Sequence, residues 1–303
     1  MSARPPAGAD EVFGARTPQD RKLLQRRRLF NSAFNAAVYA CVLVAAVPLF
    51  AIIFTVLKKG GRVVDLDFLT KPIPVVTRST GPGMGPAIVG TLLITGMATL
   101  MAVPLGILAA VYLNEYGKKN RLAQVIRTMS DVMTGVPSIV MGLFVYTIWV
   151  LRFGLSGFAG ALALACLMLP IVIRSTEEIL RLVPAGLREA SLALGASRAR
   201  TILTVVLPAA VPGITSGALL AVARAAGETA PLLFTVGATR TVNLDLFTGV
   251  NTALPTQIFR NANQAFPGPV ERAWGAALTL IVLVVVLTIL ARIVTKRFAA
   301  PLR

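Results

Sequence analysis

Histidine is absent from this 303-residue chain, and cysteine occurs only twice. Without imidazole there can be no His-ligated metal site, no His general base and no Ser–His triad. Cys41 and Cys166 lie inside apolar runs, where they read as small hydrophobic residues. They offer no disulfide framework and no redox information. Formal charge is scarce: 14% of the residues are Asp, Glu, Lys or Arg, against roughly 25% in an ordinary soluble domain. No G-x4-G-K-S/T loop occurs, so the chain is not expected to bind ATP itself. Nucleophile–base pairs and metal-ligand clusters are missing as well, which argues against a membrane-embedded enzyme. Alternating barrel-type patterning is also missing.

Uninterrupted apolar sequence is what the chain has instead. Runs without a formal charge cover Leu29–Leu57, Ser79–Asn114, Val132–Leu151, Phe153–Ile173, Thr201–Ala223 and Ala273–Ala291. Each is long enough for a helix to cross a ~30 Å hydrocarbon core. Backbone polar groups in lipid must be satisfied within their own segment, so these runs are helices rather than open strands. The expected fold is therefore an all-α polytopic membrane protein with six transmembrane helices.

A net charge of +17 invites a nucleic-acid reading, and its distribution argues against one. Sorted by six spans, 20 Lys and Arg fall on the side of the N-terminus, nine on the other side, and Arg224 within the membrane. The positive-inside rule then places both termini in the cytoplasm. Attraction to anionic lipid headgroups is a weak addition, and no nucleic-acid partner is expected.

Residues 1–28 are rich in Pro, Ala, Gly and Arg and lack apolar periodicity, so a disordered basic cytoplasmic tail is expected there. The apolar run that follows is far longer than a signal-peptide core. The six-helix membrane body is expected at 29–303. External loops are expected at 58–84 and 237–272, an amphipathic stretch at 121–130, and a tight hairpin around "RFGLSG". The fifth span is expected at about 209–236. Pro104, Pro137 and Pro170 read as kinks, and Trp149 and Trp274 as interfacial anchors. Small residues such as those of "GFAGALALAC" suit close helix packing.

The cytoplasmic segment 183–208 carries the most local organisation. Pro184 suits a first helical position, Ala185 to Leu194 are good helix formers, and Gly195 can take a left-handed C-cap. Ser197 is a candidate N-cap for a second helix, which Pro208 interrupts. Two short helices joined by a glycine elbow can serve as an interfacial connector or as a docking element for a cytoplasmic partner.

Glu189-Ala190-Ser191, Gly195 and Leu207-Pro208 resemble the EAA loop, "EAA-x3-G-x9-I-x-LP", of type I (MetI-like) ABC importer permeases. Ser191 replaces the second Ala, and Val205 stands where Ile is usual; both keep size and character. The blocks "GPAIVGTLLITGMATLMAVPLGILAAVYLNEYG", "DVMTGVPSIVMGLFVY", "LPIVIRSTEEIL" and "ARAAGETAPLLFT" look like the PstA-type permease subunits of phosphate-specific ABC importers. The likeness covers most of 30–295. It implies that Glu189, Ala190, Ser191 and Gly195 form the coupling element that docks in an ATPase subunit. It implies a homologous second permease (PstC-like), a dimeric ATPase (PstB-like) that binds ATP and Mg in place of this chain, and a phosphate-binding protein (PstS-like) docking on the two external loops. It also implies a bacterial plasma-membrane location.

Arg224 and Glu228 lie in the middle of the expected fifth span, four residues apart on one helix face. A charge near the bilayer centre costs roughly 3 to more than 10 kcal/mol. The pair can be a self-neutralising packing device, or it can border a translocation path. A guanidinium suits phosphate oxygens, and Glu228 would orient it and moderate its field. Arg174, near the cytoplasmic end of the fourth span, reads as a snorkelling anchor; the resemblance makes it a second candidate on a phosphate path. Glu177 and Glu178 could pair with it or with Arg181. Asp131 reads as a helix-start or interfacial carboxylate.

These readings converge on a non-enzymatic permease subunit of an ATP-driven phosphate importer. The alternatives are a permease for another oxyanion, such as molybdate or tungstate, and an ion-coupled secondary transporter.

Overall fold

The computed structural model describes residues 18–75, 83–117 and 120–298, and every regular element among them is helical. By internal packing the chain divides into two units, one up to Thr55 and one from Val56 onward. The first unit holds most of α1 (Pro18–Gly60), whose Phe30, Phe34, Val42 and Phe50 are exposed. Residues 1–17 of the expected tail lie outside the described residues. From Pro18 the chain is already helical, because proline suits a first helical position and the following Arg, Lys, Leu and Gln are good helix formers.

The second unit opens with a short helix, α2 (Leu66–Thr70), capped by the Asp65 carboxylate, which accepts from Phe68 N–H. The long helix α3 (Gly85–Val111) carries Pro86 in its first turn and runs on through a π turn, Tyr112–Tyr116. Asn120 caps α4 (Arg121–Gly135) by accepting from Leu122 N–H. Pro137 then breaks the chain. The residue before a proline is pushed out of the helical region, and Val136 sits at φ −71°, ψ 127°.

The consequence corrects an expectation. The apolar run at 132–151 is not one straight span. α4 and the next helical stretch, Ser138–Phe153, meet at 107°. That stretch is α5 (Ser138–Val145), a π turn (Tyr146–Val150) and α6 (Leu151–Phe153). Among the described residues five helices are long and apolar enough to cross a membrane, or six if the bent pair counts as one span.

After Gly154, at φ +84°, Ser156 caps α7 (Gly157–Leu182) by accepting from Ala159 N–H. At 26 residues, α7 is about 39 Å long and is the axis of the unit. Then come α8 (Ala185–Ala193), α9 (Arg198–Thr201), a π turn (Ile202–Val206) and α10 (Leu207–Ala226). Pro208 does not interrupt this stretch. The wider π turn just before it accommodates the missing donor, so the candidate span is Arg198–Ala226 rather than 209–236. A break at 227–229 separates it from α11 (Ala230–Thr235); α12 (Leu254–Ala262) and α13 (Pro267–Phe298) complete the order.

α3, α7, α10 and α11 pack around small residues. Ala98, Ala102, Ala161, Ala165 and Ala225 share one core with Ile94, Leu164, Met168, Leu232 and Val236. In lipid, helices associate by close van der Waals fit rather than by expulsion of water, and this core shows the fit. A Cβ on Gly106 would lie 2.6 Å from Val172 Cγ1, and one on Gly160 2.4 Å from Val236 Cγ2.

Two ends of the unit are distinguishable. At one, the starts of α3 and α7 meet the 237–253 loop and α12: Leu254 N–H donates to Thr91 Oγ1, Gly157 N–H to Asn251 Oδ1, and Phe158 N–H to the Leu246 carbonyl. In that loop the Thr248 hydroxyl, then the Phe247 and Thr248 N–H groups, hold the Asp245 carboxyl below its ordinary range. At the other end, α3 and α7 finish beside α8.

Gly90 is where helix and loop come closest. A Cβ there would stand 1.9 Å from the Thr252 carbonyl oxygen, whereas one on Gly96, two turns on, would meet nothing within 4 Å. We expect Gly90→Ala to lower the thermal unfolding midpoint in detergent, at a cost of about 1–3 kcal/mol for overpacking. Gly96→Ala is expected to leave the midpoint unchanged or raise it slightly; equal midpoints for the two variants would refute the close approach.

Candidate functional site

α10 runs antiparallel to α7, and glycines set the register. Gly213 lies against Ile179 and Gly217 against Ser175. Farther along, Ala225 is buried in the same cluster as Ala165 and Met168, near the middle of α7. There α10 stops. Gly227 N–H donates to the Arg224 carbonyl and Glu228 N–H to the Ala225 carbonyl, closing the helix with tight turns. Pro231 starts α11 and fits beside Gly142, whose Cβ would come within 2.5 Å of the Pro231 Cα. Ser156 N–H donates to the Thr235 carbonyl and fixes the far end of α11.

The break at 227–229, beside the middle of α7, frees backbone groups. In a membrane such a break is tolerated only where protein covers it or where it lines a water-filled cavity. Arg224 and Glu228 flank this break. The expected continuous helix 209–236 is therefore corrected: Glu228 lies beyond the helix end instead of one turn along its face. Arg224 Nε stands 3.8 Å from Glu228 Oε1, with the guanidinium side chain 70% exposed and the carboxylate 19% exposed. At that distance the two attract but form no hydrogen bond. Glu228 therefore leaves the Arg224 donors unsaturated.

Arg174 is not part of this pair. Gly217 faces Ser175, and Arg224 is seven residues farther along α10, so about 10 Å separates the two levels. Arg174 forms an ion pair and hydrogen bond with Asp131 of α4. Of the two partners expected for Glu177 and Glu178, Arg174 is thus corrected, while Arg181 holds for Glu177; Asp131 sits well inside α4 rather than at a helix start. The bend at Val136–Pro137 is the reason, since it lays α4 beside α7.

Glu177 is held by other groups. It is 1% exposed, and its Oε1 accepts from Arg127 Nε at 2.8 Å and from Arg181 at 2.7 Å. Arg127 also donates to the Leu113 carbonyl at 2.8 Å. One guanidinium thus joins α4, the end of α3 and α7. A second does the same for α8: Arg188 donates to Glu115 Oε1 at 3.0 Å, to the Leu180 carbonyl at 2.9 Å and to the Val183 carbonyl at 2.7 Å. The last carbonyls of a helix have no intrahelical donor, and Arg188 supplies one at the end of α7. Arg127, Glu115 and the anchoring role of Arg188 were missed from sequence. Glu115 and Arg188 are 73 positions apart, and only the fold brings them together.

The four residues of the expected coupling element lie on α8 and its elbow. Glu189 and Ala190 are exposed. Ser191 Oγ lies 2.9 Å from Thr201 Oγ1, tying α8 to α9. Gly195 has φ +83°, with its N–H on the Leu192 carbonyl and Ala196 N–H on the Ser191 carbonyl. Ser197 Oγ accepts from Arg200 N–H as the N-cap of α9. Pro184 caps α8 from just outside it rather than from its first position. No residue of α8 is buried, and Leu187, Leu192 and Leu194 are exposed beside Glu189.

Comparison with known proteins fits this geometry. The family described as "Binding-protein-dependent transport system inner membrane component" matches residues 102–300, about two thirds of the chain. The phosphate transport system permease protein PstA 1 of Mycobacterium tuberculosis is 43% identical over 287 residues, covering 93% of each chain. The chain belongs to this family. The corresponding protein PstA of Yersinia pestis is 42% identical over 275 residues, covering 90% of this chain and 92% of its own. Among solved structures, a bacterial ABC transporter involved in import of the acidic polysaccharide alginate superposes with a TM-score of 0.57 at 15% identity, covering 90% of this chain and all of that one. An inward-facing MetNI methionine ABC transporter gives a TM-score of 0.51 at 20% identity, over 69% of this chain and 89% of its own. At such identities the likeness speaks for the fold alone: an all-α membrane permease of the MetI-like kind.

The Arg127–Glu177 pair gives a stability test. Removing one partner of a buried ion pair costs about 3–5 kcal/mol, whereas replacing both by apolar residues is often near neutral. Arg127→Leu is expected to lower the unfolding midpoint in detergent markedly, and Arg127→Leu with Glu177→Leu to recover much of the loss. An Arg127→Leu midpoint equal to wild type would show that Arg181 alone suffices for Glu177.

Proposed function

We propose that the chain is a membrane-spanning permease subunit of an ATP-driven phosphate importer. It forms half of a translocation pore with a homologous second permease and couples that pore to a dimeric cytoplasmic ATPase, which binds ATP and Mg. A phosphate-binding protein delivers the anion to the end formed by the 237–253 loop, and both termini lie in the cytoplasm. The relatives named as phosphate permeases support the substrate. The observation that carries the mechanism is the helix break beside the middle of α7, which leaves the Arg224 guanidinium exposed and only loosely paired.

Phosphate oxygens are good acceptors for a planar guanidinium. Arg224 offers donors midway through the bundle, and Glu228 keeps the attraction weak enough for release. A site that must pass its ion cannot hold it tightly. Arg174, about 10 Å nearer α8, is a second station with Asp131 as its moderator. ATP-driven closure acts at the other end. The ATPase grips α8 through Glu189, Ala190 and its exposed leucines. Arg188 passes the displacement to the ends of α3 and α7. The Gly195 elbow and Ser191 pass it to α9 and so along the rigid α10 to the break. The pore shifts between inward-open and outward-open states by differential affinity.

In proteoliposomes holding the full transporter, Arg224→Gln should lower ATP-driven phosphate uptake at least about tenfold, as expected for lost charge-assisted hydrogen bonds. Subunit assembly should remain normal. Uptake at the wild-type rate would remove Arg224 from the path, and preferential uptake of molybdate over phosphate would reassign the cargo.

Gly195→Val places a β-branched residue at positive φ, where only glycine is at ease. The expected outcome is ATP hydrolysis without matching transport, or loss of the ATPase from the purified complex. A wild-type ratio of phosphate carried to ATP hydrolysed would refute the elbow.

A further inference from the structure

A cavity of about 630 Å³ lies near the 237–253 loop, bounded by Ile73, residues 238–240, α12 and the start of α13. Three guanidiniums line it, those of Arg240, Arg260 and Arg272, with the carboxamides of Gln257, Asn261 and Gln264 between them. No carboxylate lines it. Among the described residues neither Arg240 nor Arg260 makes an ion pair. Arg272 is 2% exposed and lines an adjoining cavity too, where Asp65 and Glu271 face it.

The walls are built rather than incidental. Gln257 Nε2 donates to Thr252 Oγ1 at 2.8 Å, and Asn261 Nδ2 donates to the Gln257 carbonyl at 2.8 Å and to its Oε1 at 3.2 Å. These bonds fix one face of α12. Ile73 N–H donates to the Arg240 carbonyl at 3.0 Å and holds the opposite wall. The like charges of Arg240 and Arg260 on one concave space repel one another, and an anion between them turns that repulsion into attraction.

We propose that this cavity binds a tetrahedral oxyanion, inorganic phosphate under the reading above, on which the choice of anion rests. It would be a receiving site for the delivered anion, with neither Arg224 nor Glu228 in its lining. The space equals that of roughly twenty waters at ~30 Å³ each, so the anion enters with part of its hydration shell. Arg240 and Arg260 offer forked donors, and Gln264, with one N–H on the Arg260 carbonyl, adds a neutral one.

The test uses the assembled transporter purified without its binding protein, with radiolabelled inorganic phosphate as the probe. Equilibrium binding should weaken at least about tenfold in Arg240→Gln with Arg260→Gln. Both side chains are exposed, so folding is not at risk. In proteoliposomes with saturating binding protein, the same variant should need a correspondingly higher phosphate concentration for half-maximal uptake. Arg152→Gln, an exposed arginine outside the cavity, should change neither value. Unchanged binding and uptake in the double variant would overturn the receiving site while leaving the importer reading intact. Binding lost equally in Arg152→Gln would reduce the effect to general surface charge and overturn it too. If the charge-dependent ligand proves to be anionic lipid in nanodiscs, with no displacement by phosphate, the site is a headgroup contact and the inference fails. If the wild-type assembly carries no phosphate at all, the importer reading falls first and this inference with it.

Discussion

A guanidinium in apolar surroundings must find acceptors, because its charge cannot be shed and its donors cannot go unmet. That constraint sorts the arginines of this protein. Arg127 and Arg188 are saturated within the chain by carboxylates and by carbonyls at helix ends. They act as staples. Arg224 is different: its carboxylate partner stands 3.8 Å away and most of its surface is open. Its donors, level with the middle of α7, are not met by Glu228.

The helix break and the arginine depend on each other. Without the break, Arg224 and Glu228 would sit one turn apart on a continuous helix face and could close a direct pair. Ending α10 at Ala226 moves Glu228 off that face. It also leaves backbone groups that need either protein cover or water. Gly142 and Gly160 let α11 pack tightly enough to cover one side, so the open side is the one where Arg224 emerges. At the α8 end the same chemistry serves rigidity. Arg188 satisfies the last carbonyls of α7 while holding Glu115, so a displacement of α8 moves the ends of two long helices together. From Arg198 to Arg224 the chain is one helical rod through its π turn, about 40 Å at 1.5 Å per residue.

Much of this was legible beforehand because it is local. The charge-free runs marked the long helices. Gly195 announced a left-handed elbow between two short helices, and Ser197 announced a cap; both hold in the structure. The misreadings share one cause. At Pro137 the sequence stays apolar across a break, and at Gly227 apolar residues continue on both sides of the Arg224–Glu228 stretch, so hydropathy alone shows unbroken spans. At Pro208 a breaker is present and the helix continues, because a π turn absorbs it. The pairing of Arg174 was misassigned since neighbours in sequence, Glu177 and Glu178, were weighed, while the true partner lies 43 positions away.

By itself, then, the sequence determined the class of protein, where its long apolar segments lie, the elbow at Gly195, and which charged residues stand in apolar company. These follow from residue type and near spacing, which act over a few bonds. Tertiary structure alone decided where helices break and which carboxylate each arginine finds. It also decided that Arg224 stays open while Arg127 and Arg188 are closed, and that Arg240, Arg260 and Arg272 meet around one cavity. Those outcomes depend on the packing of segments distant in sequence, where one glycine against a neighbouring backbone sets the register of a whole helix.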